Sequence, residues 1–261
     1  SDHSVSWRAG EFVDASLNNN TVVAHGNNTD IVDYGRVGGK SLRLNNSVAT
    51  GSYVTIQNDT DLSLDGSFTI EAWVRLSKSA PPHGLHTVVA RVQRSQPAPN
   101  PQLQLSVGGS SICFSVTTSN GGVVTASANT ARGSLLQWTH LAGVVHAATS
   151  TVVLYVNGEP LSTQVCTTSQ LTRLASSNWF VGGLCGPRNT NHRGNYGRRG
   201  GFGAAMSHSL PGYVADVRVW DVALGPATLQ QAARGEPAFR QLLHRAAAAP
   251  PDTSRLLGWY P

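Results

Sequence analysis

A two-sheet antiparallel β-sandwich of the jelly-roll kind, all-β apart from a short C-terminal helical segment, is the fold class this sequence predicts. Three observations predict it. From Ser41 to Phe180, short alternating or apolar runs follow one another, each broken by Gly, Asn, Asp or Ser. Two of those breaks, Asn120-Gly121-Gly122 and Asn157-Gly158, carry the residues that accept the positive φ angles of tight hairpins. Helix-like sequence is confined to Pro226–Ala249, and Gly235-Glu236-Pro237 interrupts it. A single domain over residues 1–261 is expected, with its core at about 39–230 and a C-terminal helical extension over 226–261.

The elements follow in order. Ser52–Ile56 alternates and leads into a polar turn region at Asn58–Gly66. Phe68–Leu76 places Phe68, Ile70, Ala72 and Val74 on one face and Thr69, Glu71, Trp73 and Arg75 on the other. Thr87–Val92 is an apolar run ending in the Pro-rich loop Gln96–Pro101, which no central strand accommodates. Gln102–Val107, Ser111–Thr117 and Val123–Ala128 read as a meander. Trp138–His146 and Thr151–Val156 follow, with Glu159–Val165 folding back across the Asn157-Gly158 turn. Asn178–Gly182 and Tyr213–Trp220 complete the strands, and Leu256–Tyr260 can pair with an edge. Between them Gly183–Gly212 shows no periodicity, and a segment of that length is usually functional or unstructured. The buried positions expected are Phe68, Ile70, Val74, Val144, Leu154, Val156 and Val219.

Charged residues make up 13% of the 261-residue chain, which favours strands and turns over solvated helices, and the formal net charge is +5. No run of about 20 apolar residues exists, so no membrane span is expected. No charged-then-apolar leader opens the sequence, so Ser1 is read as following a cleaved signal or a boundary. N-glycosylation triplets at Asn19, Asn27, Asn45 and Asn58 cluster in the first quarter and point to a secreted or cell-surface protein. Three cysteines allow one disulfide, for which Cys166 and Cys185 are the favoured pair; Cys113, in the apolar run Ile112–Val116, reads as a small buried hydrophobe.

Gly39-Lys40-Ser41-Leu42-Arg43-Leu44, Gly51-Ser52-Tyr53-Val54 and the run from Phe68 to Leu76 resemble the opening half of laminin G-like jelly rolls. Trp138–Val145, the hairpin around Asn157-Gly158 and Trp179–Gly183 resemble their middle. Gly212–Leu224 resembles their closing strand and turn, especially in the pentraxin-like branch. The ordered set covers about residues 39 to 230 and resembles the concanavalin A-like lectin and glucanase superfamily. That resemblance implies two stacked sheets and a module that binds glycans, phosphorylated ligands or proteins, often with calcium. It also makes His140 a framework position.

A fold does not specify a function, so the site depends on particular residues. Pentraxin-like members draw calcium ligands from two loops, but Gln93–Asn100 and Gly183–Gly212 contain no Asp or Glu. Asp59, Asp61 and Asp65 remain as ligands for one structural calcium, or as Asx turns before a strand. Glucanases of this fold carry closely spaced acids on one strand, whereas Glu71 is the lone acid between Asp65 and Glu159 and is expected to pair with a base. Arg188, Asn191, His192, Arg193, Tyr196, Arg198 and Arg199 gather donors suited to carboxylate, sulfate or phosphate, or else form a solvated loop. The Gly/Arg tract is short, and nucleic acid is not an expected partner. The leading expectation is a non-catalytic extracellular module for a glycan or protein ligand. The alternatives are an ancillary domain of a larger hydrolase or sialidase-type enzyme, and a structural subunit of an extracellular assembly. A chelator should therefore shift the melting temperature little. A drop of many degrees reversed by calcium would instead reveal a tightly held ion, which at 100–1,000 times its Kd contributes roughly 3–4 kcal/mol.

Overall fold

The computed structural model describes residues 20–26, 29–32, 40–44, 52–57, 64, 66–81, 84–93, 101–118, 120–166, 177–186, 205–207, 209–236 and 256–260. The chain forms β1 Thr21–His25, β2 Thr29–Val32, β3 Ser41–Leu44, β4 Tyr53–Gln57, β5 Phe68–Leu76, β6 Leu85–Gln93, β7 Pro101–Gly108, β8 Ser111–Thr117 and β9 Val123–Asn129. After α1 (Arg132–Leu135) come β10 Thr139–His146, β11 Thr151–Val156, β12 Glu159–Val165, β13 Ser177–Val181, β14 Leu184–Gly186, β15 Ala205–Ser207 and β16 Gly212–Trp220. Helix α2 (Pro226–Arg234) and β17 (Leu256–Tyr260) follow. A seven-stranded sheet, sheet A, runs β1-β4-β13-β6-β7-β8-β9. An eight-stranded sheet, sheet B, runs β12-β11-β10-β5-β16-β3-β2, with β17 also on β16. All pairings are antiparallel, and β14 and β15 form a separate two-stranded ribbon.

Period-two spacing decides which side chains face between the sheets. Ile70, Val74, Leu154 and Val219 are fully buried there with Phe68, and Val156 packs against them half-buried. The interlock of the two sheets depends on Gly143 of β10, where a Cβ would lie 2.4 Å from Phe114 of β8. The missing side chain is the space that the phenyl ring fills. The Asn157-Gly158 turn adopts the expected positive φ angles, 53° and 82°, and joins β11 to β12.

Four features depart from the sequence expectations. The second face of β5 is buried too, with Thr69 and Glu71 fully inaccessible: Thr69 bonds to Val222 and Leu224, and His140, Trp220 and Arg218 surround Glu71. Leu229 and Ala232 of α2 form one cluster with Ala142, Val144, Val153, Tyr155 and Trp220, so Val144 is buried as expected, under the helix. The tail expected to be a helical extension over 226–261 is helical at Pro226–Arg234, but Leu256–Tyr260 is a strand paired with β16. Within Gly183–Gly212, β14 and β15 were invisible because three-residue strands carry no period. Strands β1 and β2 and the short α1 were likewise not expected. Introducing Gly143→Ala should destabilise the fold by about 1–3 kcal/mol through overpacking against Phe114. Denaturant titration checks this, and an unchanged midpoint would mean that the ring can move aside.

Candidate functional site

Glu71 lies in the middle of sheet B, and its neighbours in register are Ala142 on β10 and Arg218 on β16. Its side chain is inaccessible, so each lone pair needs a partner inside the protein. Trp220 Nε1 donates to Oε1 at 2.9 Å, and His140 Nε2 donates to Oε2 at 2.8 Å. The Arg218 guanidinium stands 3.2 Å from Oε1 and 3.1 Å from Asp216 Oδ2, bridging the two carboxylates. Trp73 closes the cluster with its ring 5.1 Å from that of His140. Burial alone would raise the Glu71 pKa, but the Arg218 charge and the His140 and Trp220 hydrogen bonds hold it at about 2. Burial also works against the Arg218 charge, yet Asp216 and Glu71 push its pKa up.

The geometry depends on a bulge. Between Ala215 and Arg218, β16 holds one more residue than β5 does between Trp73 and Glu71. Asp216 takes up the extra length at φ 51°, an uncommon angle for a residue other than glycine. The bulge brings Arg218 to the outer face opposite Glu71 while Val217 and Val219 stay in the core. The expected pairing of Glu71 with a base is thus observed, but the base lies 147 positions away (218 − 71 = 147), and nothing local in the sequence identifies it. An ionised, inaccessible carboxylate neither donates a proton to a substrate nor touches one. The cluster ties β5, β10 and β16 together.

The outer face of sheet A has a different character. Thr87, Gln102, Gln104 and Ser106 form a buried polar row, in which Gln104 Nε2 donates to Thr87 Oγ1 at 2.7 Å. Beside it, His25 stacks on Tyr53 with ring centroids 4.5 Å apart, and Tyr53 stacks on Phe180 at 6.0 Å. His25 Nε2 and Thr55 Oγ1 are 2.8 Å apart, and burial lowers the His25 pKa. Leu184 of β14 joins Phe180, Ala90 and Val92 in one apolar cluster, with Tyr53 packed against it. The base of the β14–β15 ribbon therefore sits on this face.

The predicted contact residues Arg188, Asn191, His192, Arg193, Tyr196, Arg198 and Arg199 fall between β14 and β15 and lie outside the described residues. So do the candidate calcium ligands Asp59, Asp61 and Asp65 and the acceptors Asn19, Asn27, Asn45 and Asn58. Among the described residues no three His, Cys, Asp or Glu side chains converge as a metal set. Cys166 is buried, which raises its thiol pKa, while the side chain of Cys185 lies outside the described residues. Cys113, expected in the core, is half-buried instead, because β8 alternates and turns it away from Ile112 and Phe114.

Two stacked antiparallel sheets define a jelly-roll sandwich. The concanavalin A-like lectin/glucanases superfamily matches residues 48–230, and the chain belongs to that family. No curated protein matches by sequence. Among solved structures, the binding domain of botulinum neurotoxin serotype G is similar at a TM-score of 0.63 and 13% identity, over 88% of this chain and 50% of that one. The binding domain of botulinum neurotoxin DC, solved in complex with rat synaptotagmin II, has a TM-score of 0.60 at 12% identity, over 84% and 47%. The binding domain of Paraclostridial Mosquitocidal Protein 1 has a TM-score of 0.58 at 15% identity, over 84% and 48%. At such identities the likeness is one of fold, and the chain spans about half the length of these structures.

Glu71 generates a pH prediction. Its pKa is lower in the fold than the ordinary 4.5, so its stabilisation is fully present above about pH 4.5 and is lost as the pH falls toward 2. The loss should amount to about 3 kcal/mol across that window. Glu71→Gln should remove this acid limb and cost about 3–5 kcal/mol at neutral pH, because Arg218 stays buried. Melting curves from pH 7 to acid check both, and an identical acid limb in the variant would exclude Glu71 as its source.

Proposed function

We propose that this chain is a non-catalytic recognition module, working outside the cell or at its surface, for a glycan or protein ligand with anionic groups. Arg188, Asn191, His192, Arg193, Tyr196, Arg198 and Arg199 make the contact on this reading. The observation that carries it is the position of Leu184 in the cluster of Phe180 and Tyr53. In sequence the arginine-bearing segment follows β14, which ends at Gly186 two residues after Leu184, and Leu184 packs with buried Phe180 and half-buried Tyr53. Aromatic faces suit sugar rings or apolar side chains, and guanidinium groups suit their carboxylate or sulfate substituents. The family and its structural neighbours, which are named as binding domains, support the same reading. One structural calcium at Asp59, Asp61 and Asp65, a Cys166–Cys185 disulfide and glycans on Asn19, Asn27, Asn45 and Asn58 belong to this proposal.

Binding should weaken with added salt, and Arg198→Ala with Arg199→Ala should lower affinity while the melting temperature barely moves. An array of neutral, sialylated and sulfated glycans, read at low and high ionic strength for wild type and double variant, tests this. Equal binding throughout would move the contact off the loop.

A further inference from the structure

Among the described residues the exposed large apolar side chains are Val123, Leu161 and Val165, at 57%, 51% and 77% exposure. All three lie on β9 and β12, which end their respective sheets. The two strands run side by side, and the Ser127 N–H of β9 donates to Ser162 Oγ of β12 at 3.2 Å. Sheet edges normally resist further pairing through charge, proline or a bulge. Strand β12 carries such devices only at its start, in Glu159, Pro160 and the irregularity opposite Leu154 and Tyr155. From Leu161 to Val165 it has neither charge nor proline, and only Ser162 is as much as half-buried.

The ladder alternation decides which backbone groups face outward. The Cys166 N–H donates to the Ser150 carbonyl at 2.6 Å, so Gln164 and Ser162 pair inward with β11. The N–H and C=O groups of Thr163 and Val165 then turn toward the open edge. We propose that a second copy of this chain fills that edge, two β12 strands pairing antiparallel about a two-fold axis at Thr163. In that register Leu161 stands opposite Val165 of the second copy, Ser162 opposite Gln164, and Thr163 opposite itself. Apolar side chains meet apolar ones and polar meet polar, which is what an isologous contact requires. A copy fits better than a foreign charged strand, because the chain carries a net charge of +5 and this stretch contains no lysine or arginine. Like-charged copies approach at least electrostatic cost along such an edge. The contact joins two eight-stranded sheets into one, and it does not depend on the recognition role proposed above.

A single strand pair sits at the low end of specific interfaces, so association in the micromolar range is expected. Sedimentation velocity of the chain across that range should show a reversible monomer–dimer equilibrium. Thr163→Pro removes an N–H that β11 does not use, and Val165→Lys sets a charge opposite Leu161 of the second copy. Each should weaken dimerisation by about 100-fold or more, with the melting temperature of the dilute monomer nearly unchanged. Val165→Lys keeps the test open if Thr163→Pro does not fold, since that side chain is 77% exposed. A chain monomeric at every concentration overturns the proposal, even if it captures an extended peptide. A dimer that survives both substitutions overturns it as well.

Discussion

A carboxylate with no access to water sits at the centre of sheet B, and much of the architecture around it follows from keeping it charged. Moving such a group out of water costs several kcal/mol unless nearly every lone pair is met. Glu71 is met by Arg218, His140 and Trp220, which come from the two strands flanking its own. The network therefore specifies the alignment of β10, β5 and β16, since a one-residue slip of either neighbour would turn its donors to the opposite face. The bulge at Asp216 belongs to the same requirement. It adds the one residue that lets Arg218 face outward while the valines on either side of it stay between the sheets.

A buried ion cluster on the outside of a sheet also demands a cover. Helix α2 belongs to that cover and is built for it. Pro226 stands in its first turn, Gly235 ends it at φ 67°, and Leu229 and Ala232 face the sheet. The hairpin turn at Gly158 touches the same helix so closely that a Cβ there would fall 2.6 Å from the Gln230 backbone. With the outer side of sheet B covered by α2 at Ala142, Val144, Val153, Tyr155 and Trp220, the two outer faces of the sandwich are unequal. Sheet A retains a polar row, an aromatic stack and the ribbon that bears the basic segment.

The amino-acid order by itself determined the central strands of the sandwich, though not β1 or β2, because alternation with a period of two and Asn-Gly turns are local signals. Phe68–Leu76, Ser111–Thr117, Thr151–Val156 and Glu159–Val165 were legible to the residue in this way. It also showed that Glu71 is the lone acid between Asp65 and Glu159, with no second acid on its own strand. Tertiary structure alone decided what Glu71 does. Its partners lie 69, 147 and 149 positions away and meet it only when β10 and β16 pair with β5. The same holds for Thr69 and Val144, whose outward-facing positions say nothing of the Val222–Leu224 segment and the helix that meet them from far along the chain. Cys113 illustrates the converse: its apolar neighbours suggested the core, but alternation along β8 set it on the other face. Local pattern specifies a strand and its two faces. What covers each face depends on chain segments distant in sequence, and only the folded packing brings them there.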